Sequence, residues 1–462
     1  MTPTLLLAAW LAIAADWRAV FPRRRSFVRA LRQGLGSLVC LGRRTLSRII
    51  WTNGGQDRSW SAEYFLHSRC DWEAQRLFDP ILKRALAWCP GRLIGVAVDD
   101  TRIRKTGFCI QQAFYTRDPL SPPFHVNLIR AVRFLQCSLL VPLYRGAKVG
   151  ARALPIRWEE VSPIKRPRRQ AGKEEWQEYR AACQRHNLSQ SFVQRMTELR
   201  QAFDVRGAAG QILVFAADGS FCNRTVLSAR VKGVELIARA RKDAVLCFPA
   251  ATESRRFYAP DKFTPEQIRK DDSREWKTIK LFYGGKRRKV RYKEVSGVLW
   301  QGGARRRLLR LLVVAPTPYR KRHSTKLYYR QPAYLLTTLV CDHAKALLQI
   351  YFDRWQIEVN HREEKDTLGV GQAQLWNVHS VPKQPALVVA SYSALLLAAL
   401  QTFGAERGAA YAPLPKWRRK AHRPSALDLI TLLRKEMAEH PDLLTPYALQ
   451  PSHARFLAAA AA

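Results

Sequence analysis

Two stretches of this chain, LIGVAVDDT at 93–101 and QILVFAADGSF at 211–221, share one design: an unbroken apolar run that stops abruptly in aspartate. A run without polar alternation needs cover on both faces, so each predicts a buried strand in a sheet flanked by helices. The acids Asp99, Asp100 and Asp218 then sit at strand ends. A carboxylate at such an end is held on a rigid element and faces the crevice above the sheet. Turn formation and helix capping are the ordinary uses of an aspartate there.

What surrounds these strands narrows the partners. The chain carries 78 Lys+Arg against 37 Asp+Glu, a net charge of +41 over 462 residues. An excess of that size concentrates polyanions, and nucleic acid is the commonest of them. At 47% hydrophobic the chain is too apolar for disorder and long enough for several domains. The nine cysteines are scattered without a CxxC pair, and the ten histidines do not cluster. That spacing excludes a zinc knuckle and a disulfide framework, and points to free thiols in a reducing cytoplasm. The apolar run at 5–15 is short for a membrane span and lacks preceding basic residues, so a buried helix is expected, with a signal segment as the alternative. A second apolar run, 385–403, has Ser391, Tyr392 and Ser393 at its middle and reads as a core helix.

Along the chain, residues 1–90 carry helical periodicity, and a short basic helix around 42–48 could enter a DNA groove. Strands are expected at 109–115, 134–143 and 234–239. A Pro-rich basic linker covers 162–173, and a helical segment covers 174–203. From 276 to 339 four strand-like segments alternate with glycine-containing turns. A long helix is expected over 342–367, ended by Gly369 and Gly371. The segments are a helical N-terminal DNA-binding region (1–90), an α/β part (91–245), a β-rich block (246–340), a part with two helices (341–403) and a helical C-terminal region (404–462).

The segment YFDRWQIEVNHREEK at 351–365 carries the most specific pattern. At about 100° per residue, Tyr351, Arg354, Glu358 and Lys365 fall within roughly 60° of one another. Leu348, Phe352, Trp355 and Val359 form a neighbouring apolar stripe that would seat the helix. An amphipathic helix with an Arg354–Glu358 pair would produce the same spacing. Three carboxylates in basic surroundings suit Mg²⁺, which takes oxygen ligands. Two such ions can serve an in-line displacement at phosphorus.

Tyr351-x2-Arg354-x3-Glu358-x6-Lys365 resembles the Tyr-Arg-Glu-Lys signature of the DDE transposases of insertion-sequence elements. RWQIE and KDTLGVGQ resemble that family too, as do VAVDDT and VFAADGSF for its two aspartate strands, across about residues 30–400. The resemblance implies that 91–245 and 341–403 form one RNase H-like core with 246–340 as an insertion, and that Asp99, Asp218 and Glu358 are catalytic ligands of two Mg²⁺ or Mn²⁺ ions. Asp99 and Asp100 both stand at the first position; the family's Asp-x-Thr pattern selects Asp99 with Thr101, and strand alternation turns Asp100 away. Tyr351, Arg354 and Lys365 would contact phosphates near the cleaved end. Trp300 is a candidate for stacking on an extruded base, or else a strand-end core residue.

The implied chemistry is hydrolysis at the element's end, freeing a 3′-OH, followed by attack of that hydroxyl on target DNA. The family's members act as dimers, implying a homodimer on double-stranded DNA, terminal inverted repeats and target alike, in the cytoplasm at the nucleoid, without a membrane. No GxxxxGK[ST] indicates a need for ATP. A nuclease without strand transfer and a non-catalytic DNA-binding relic are the competing expectations.

Overall fold

The computed structural model describes residues 5–118, 121–122, 124–145, 148–320, 326–341, 344–417 and 421–449. Asp342, the expected start of the long helix, and the terminal alanine run lie outside them. The strands are β1 (Leu93–Arg104), β2 (Phe114–Arg117), β3 (Leu128–Val141), β4 (Arg152–Glu160), β5 (Ile212–Ala217), β6 (Val234–Arg239), β7 (Leu246–Pro249), β8 (Tyr258–Phe263), β9 (Lys277–Tyr283), β10 (Lys286–Val298), β11 (Leu309–Val314), β12 (Pro318–Tyr319), β13 (Tyr328–Tyr329) and β14 (Ala333–Thr337).

Ten of these form one mixed sheet in the order β3-β1-β5-β6-β14-β11-β10-β9, with β2 and β4 both on the outer edge of β3. Only β1–β5 and β5–β6 pair in parallel. The apolar runs of β1 and β5 therefore lie side by side at the centre, where both faces are covered, as their composition demands. The strands of the 246–340 block that pair with β6 through β14 extend this same sheet. β7–β8 and β12–β13 form separate ribbons.

Helices cover the two faces. On one lies Ser380–Phe403, buried along most of its length beside the N-terminal helices Leu6–Ala15 and Arg24–Val39. It is the one helix among the described residues that is long and apolar enough to cross a membrane, and 83% of its apolar window is buried inside the molecule. Its polar centre is satisfied internally: Ser393 Oγ donates to Pro155 O at 2.7 Å, and Trp10 Nε1 donates to Ser391 O at 3.0 Å. Leu6–Ala15 has no side-chain cap of its own. Glu436 supplies one, accepting from the Leu6 and Leu7 amides at 3.1 and 2.6 Å, where a helix start leaves its N–H groups unpaired.

The opposite face carries Ala344–Asp353 and Trp355–Arg362. Gly95 lets the first of these approach closely, since a Cβ there would stand 3.1 Å from Ile350 Cγ2. The expected apolar stripe is corrected. Leu348 is buried, but Trp355 is 57% exposed, and the buried line runs through Ile350, Ile357, Asn360, His361 and Glu364. The cause is local: the Ile357 amide bonds to Arg354 O, three residues back, so the second segment is rotated relative to the first.

Three further expectations are corrected. The basic helix at 42–48 begins only at Leu46, because Gly42 adopts φ +71° and Thr45 caps the Arg48 amide. The strand expected at 109–115 is a turn whose Ile110 and Ala113 point into the core, and pairing starts at Phe114. The helical segment at 174–203 is two helices, Lys173–Arg185 and Leu188–Phe203, divided where Asn187 caps the second. All nine cysteines are free.

Candidate active site

Strand alternation decides which side chains meet. In β1, Gly95 and Ala97 face the Ala344–Arg362 side, whereas Val96 and Val98 enter the larger core on the other. Asp99 continues the first row and Asp100 the second. In β5, Val214 and Ala216 lie on that same helical side. Ala97 pairs with Ala216, so Asp99 and Asp218 each stand two residues beyond that pair, on one face of adjacent parallel strands. The helix that packs over this face brings Glu358 to the same end.

The electrostatics agree with the register. Burial, then the Asp218 charge, pushes the Asp99 carboxyl up to about 7. Burial raises Glu358 as well, against the nearby Arg354, with Asp218 adding to the rise. Tyr351 is raised by burial and feels Arg354, Arg239, Asp218 and Glu358. Lys365 is lowered by burial and feels Asp99. Asp100 is raised by burial too, but its strongest charged neighbours are Arg102 and Arg133, on its own face.

Local bonds set the carboxylates. Asp99 Oδ1 accepts from the Asp100 amide at 2.9 Å. Asp218 caps the short turn Gly219–Phe221, accepting from the Ser220 amide at 2.9 Å and its hydroxyl at 2.6 Å. Arg354 Nη2 donates to Glu358 Oε1 at 3.1 Å, and its guanidinium stands 5.9 Å from the centroid of the Tyr351 ring. Six expected residues thus converge: Asp99, Asp218, Glu358, Tyr351, Arg354 and Lys365. Trp300 does not join them. It packs partly buried against the core, over Gly303, and lines a cavity of about 540 Å³ with Arg241, Lys262 and Gln301.

Among the described residues, no group of three His, Cys, Asp or Glu side chains is drawn together closely enough to hold a metal ion as it stands. The donor set is nonetheless of the right chemistry. It consists of carboxylates on converging elements, and burial together with the Asp218 charge raises both Asp99 and Glu358. That is where a hard divalent cation finds its ligands.

Two features escape sequence reasoning. Ile237 of β6 pairs with Ala216, so Arg239, two residues on, reaches the same face and end as Asp218. A third central strand ending in a charge was its available signal. Beneath the site lies a buried polar network. Gln136, the register partner of Asp99, donates to Ser138 Oγ at 3.0 Å, and Ser138 donates to Asn360 Oδ1 at 3.2 Å. Asn360 Nδ2 reaches Ala153 O and Tyr392 Oη, both at 3.2 Å, and the Tyr392 hydroxyl bonds to Glu363. Glu364 is fully buried beside Gln136; burial pushes its carboxyl up to about 8. Burial and the charges of Lys365 and Arg354 push His361 down to about 3.

No protein-family model matches the chain, and none of the curated proteins matches its sequence.

Proposed function

We propose that the protein is a DDE-type DNA transposase with an RNase H-like core, which hydrolyses phosphodiesters at element ends and joins them to target DNA. The observation that carries this reading is the register: Asp99 and Asp218 project from the same face and end of neighbouring parallel strands, towards the helix bearing Glu358. The strand order β4-β3-β1-β5-β6, with the acids on the central parallel pair, supports the core assignment.

Asp99, Asp218 and Glu358 would hold Mg²⁺ or Mn²⁺, which when bound supplies Lewis-acid activation of the attacking oxygen and charge relief at the leaving one. The remaining work belongs to side chains. Arg354 holds Glu358 in place and offers its other nitrogens to a phosphate, a geometry suited to a planar fork. Lys365, within electrostatic reach of Asp99, adds a point charge, and Tyr351 orients the strand rather than attacking it. Arg239 extends the positive rim.

The test uses purified protein, a plasmid carrying the DNA that flanks the gene as element ends, a target plasmid, and Mg²⁺ or Mn²⁺. Cleavage at the ends with joined products is expected. Nicks without joining would indicate a nuclease, and binding without cleavage a non-catalytic protein.

A further inference from the structure

Past Asp99 the sheet continues as a narrow arm. β1 runs on to Arg104 paired with the first half of β3, and β2 closes the other edge, Phe114 opposite Ala131 and Arg117 opposite Leu128. Across residues 101–133 the chain has six Lys and Arg against a single acid, Asp118, which pairs with Arg104 at 2.5 Å. Three aromatic rings on this arm lie open to solvent: Phe108 at 84%, Tyr115 at 66% and Phe124 at 91% exposure.

Looseness does not explain the exposure of Phe108 and Tyr115. Ile110 and Ala113 anchor the turn in the core, and Gln112 Nε2 donates to Val378 O at 2.7 Å. Lys105 Nζ donates to Gly371 O and Ala373 O at 3.0 and 3.3 Å, fixing the arm to the loop that follows the Glu358 helix. Arg130 bonds to the Phe108 carbonyl at 3.1 Å with its guanidinium 5.6 Å from that ring's centroid. Tyr115 lies directly opposite Arg130 in the ladder. Val126 and Leu128 are exposed beside these rings, at 57% and 67%, and Arg117 stands opposite Leu128 in the ladder; six cations against one acid favour a polyanionic partner for this surface.

We propose that this arm is a platform for unpaired DNA bases, receiving the single-stranded segment that borders the cut. The proposal rests on the DNA reading above and adds the element that holds the unpaired strand. Exposed rings can stack on any base face, while neighbouring arginines track the phosphates. A duplex hides its base faces, so it would gain from the arginines and little from the rings.

The experiment measures binding of the full chain, in EDTA, to a labelled oligothymidylate and to a duplex of equal length. Phe108→Ala, Tyr115→Ala and Phe124→Ala combined should weaken single-strand binding by roughly 10- to 100-fold, with duplex affinity little changed. Aromatic replacements, Phe108→Tyr, Tyr115→Phe and Phe124→Tyr, should keep single-strand binding. Unchanged single-strand affinity in the alanine variant, or an equal fall for both DNAs, overturns the proposal. Wild-type protein that binds duplex but no single strand overturns it alone; protein that binds neither overturns the DNA reading as well.

Discussion

Glu364 gives the sharpest handle on the interior of the site. It is fully buried, with the Gln136 side chain as its polar neighbour. In the folded protein the group keeps its proton up to about 8, from an ordinary value of 4.5, because burial disfavours the carboxylate. An unfolded chain releases that proton near the ordinary value. The contribution to stability is therefore fully present below pH 4.5 and is lost as pH rises to about 8. At about 1.4 kcal/mol per unit, the full loss is on the order of 5 kcal/mol. Glu364→Gln keeps the shape and a donor for Gln136 but cannot ionise. Urea unfolding from pH 4 to 9 should show wild type and variant diverging, the variant gaining several kcal/mol above pH 8 relative to wild type. Parallel profiles would refute a neutral buried Glu364.

Other substitutions test the remaining assignments. Glu358→Gln should abolish cleavage in an end-cleavage assay while leaving DNA affinity nearly unchanged, since the amide can still accept from Arg354; cleavage near the wild-type rate would discard the site. Arg354→Ala should weaken end binding and reduce the slope of log K against log salt by about 0.9, the value of one phosphate contact; an unchanged slope in a binding titration counts against that contact. Gly371→Ala should destabilise by about 1–3 kcal/mol in urea unfolding. Gly371 sits at φ +94°, where a Cβ would lie 2.1 Å from Ile103 Cγ2, and a neutral result would contradict that packing.

The central strands were legible because an apolar run closed by aspartate has few other uses, and β6 fell at its expected bounds, 234–239. The segments behind β9, β10, β11 and β14 were legible as strands from their alternation and turns. Their union with the central sheet through β6 and β14 was not, because alternation gives the faces of a strand and never its partner. Spacing on an ideal helix brought Tyr351, Arg354 and Glu358 together correctly, but missed the local tightening at Arg354 that exposes Trp355 and buries Ile357. Nothing in the sequence distinguishes Glu364 from its neighbour Glu363, and only the folded chain buries it. The arm past Asp99 was misread because its Gly107–Ala113 turn carries buried apolar residues of the kind a strand would.

The central claim is that Asp99, Asp218 and Glu358 share divalent cations. Anomalous diffraction from crystals of the protein with an element end and Mn²⁺ tests it most directly. The account predicts Mn²⁺ in the cleft between β1, β5 and the Glu358 helix, with oxygens of these three side chains at about 2.1 Å, and loss of that signal in Asp218→Asn. A cleft empty at saturating Mn²⁺, or an ion held by Asp100 in place of Asp99, would contradict it.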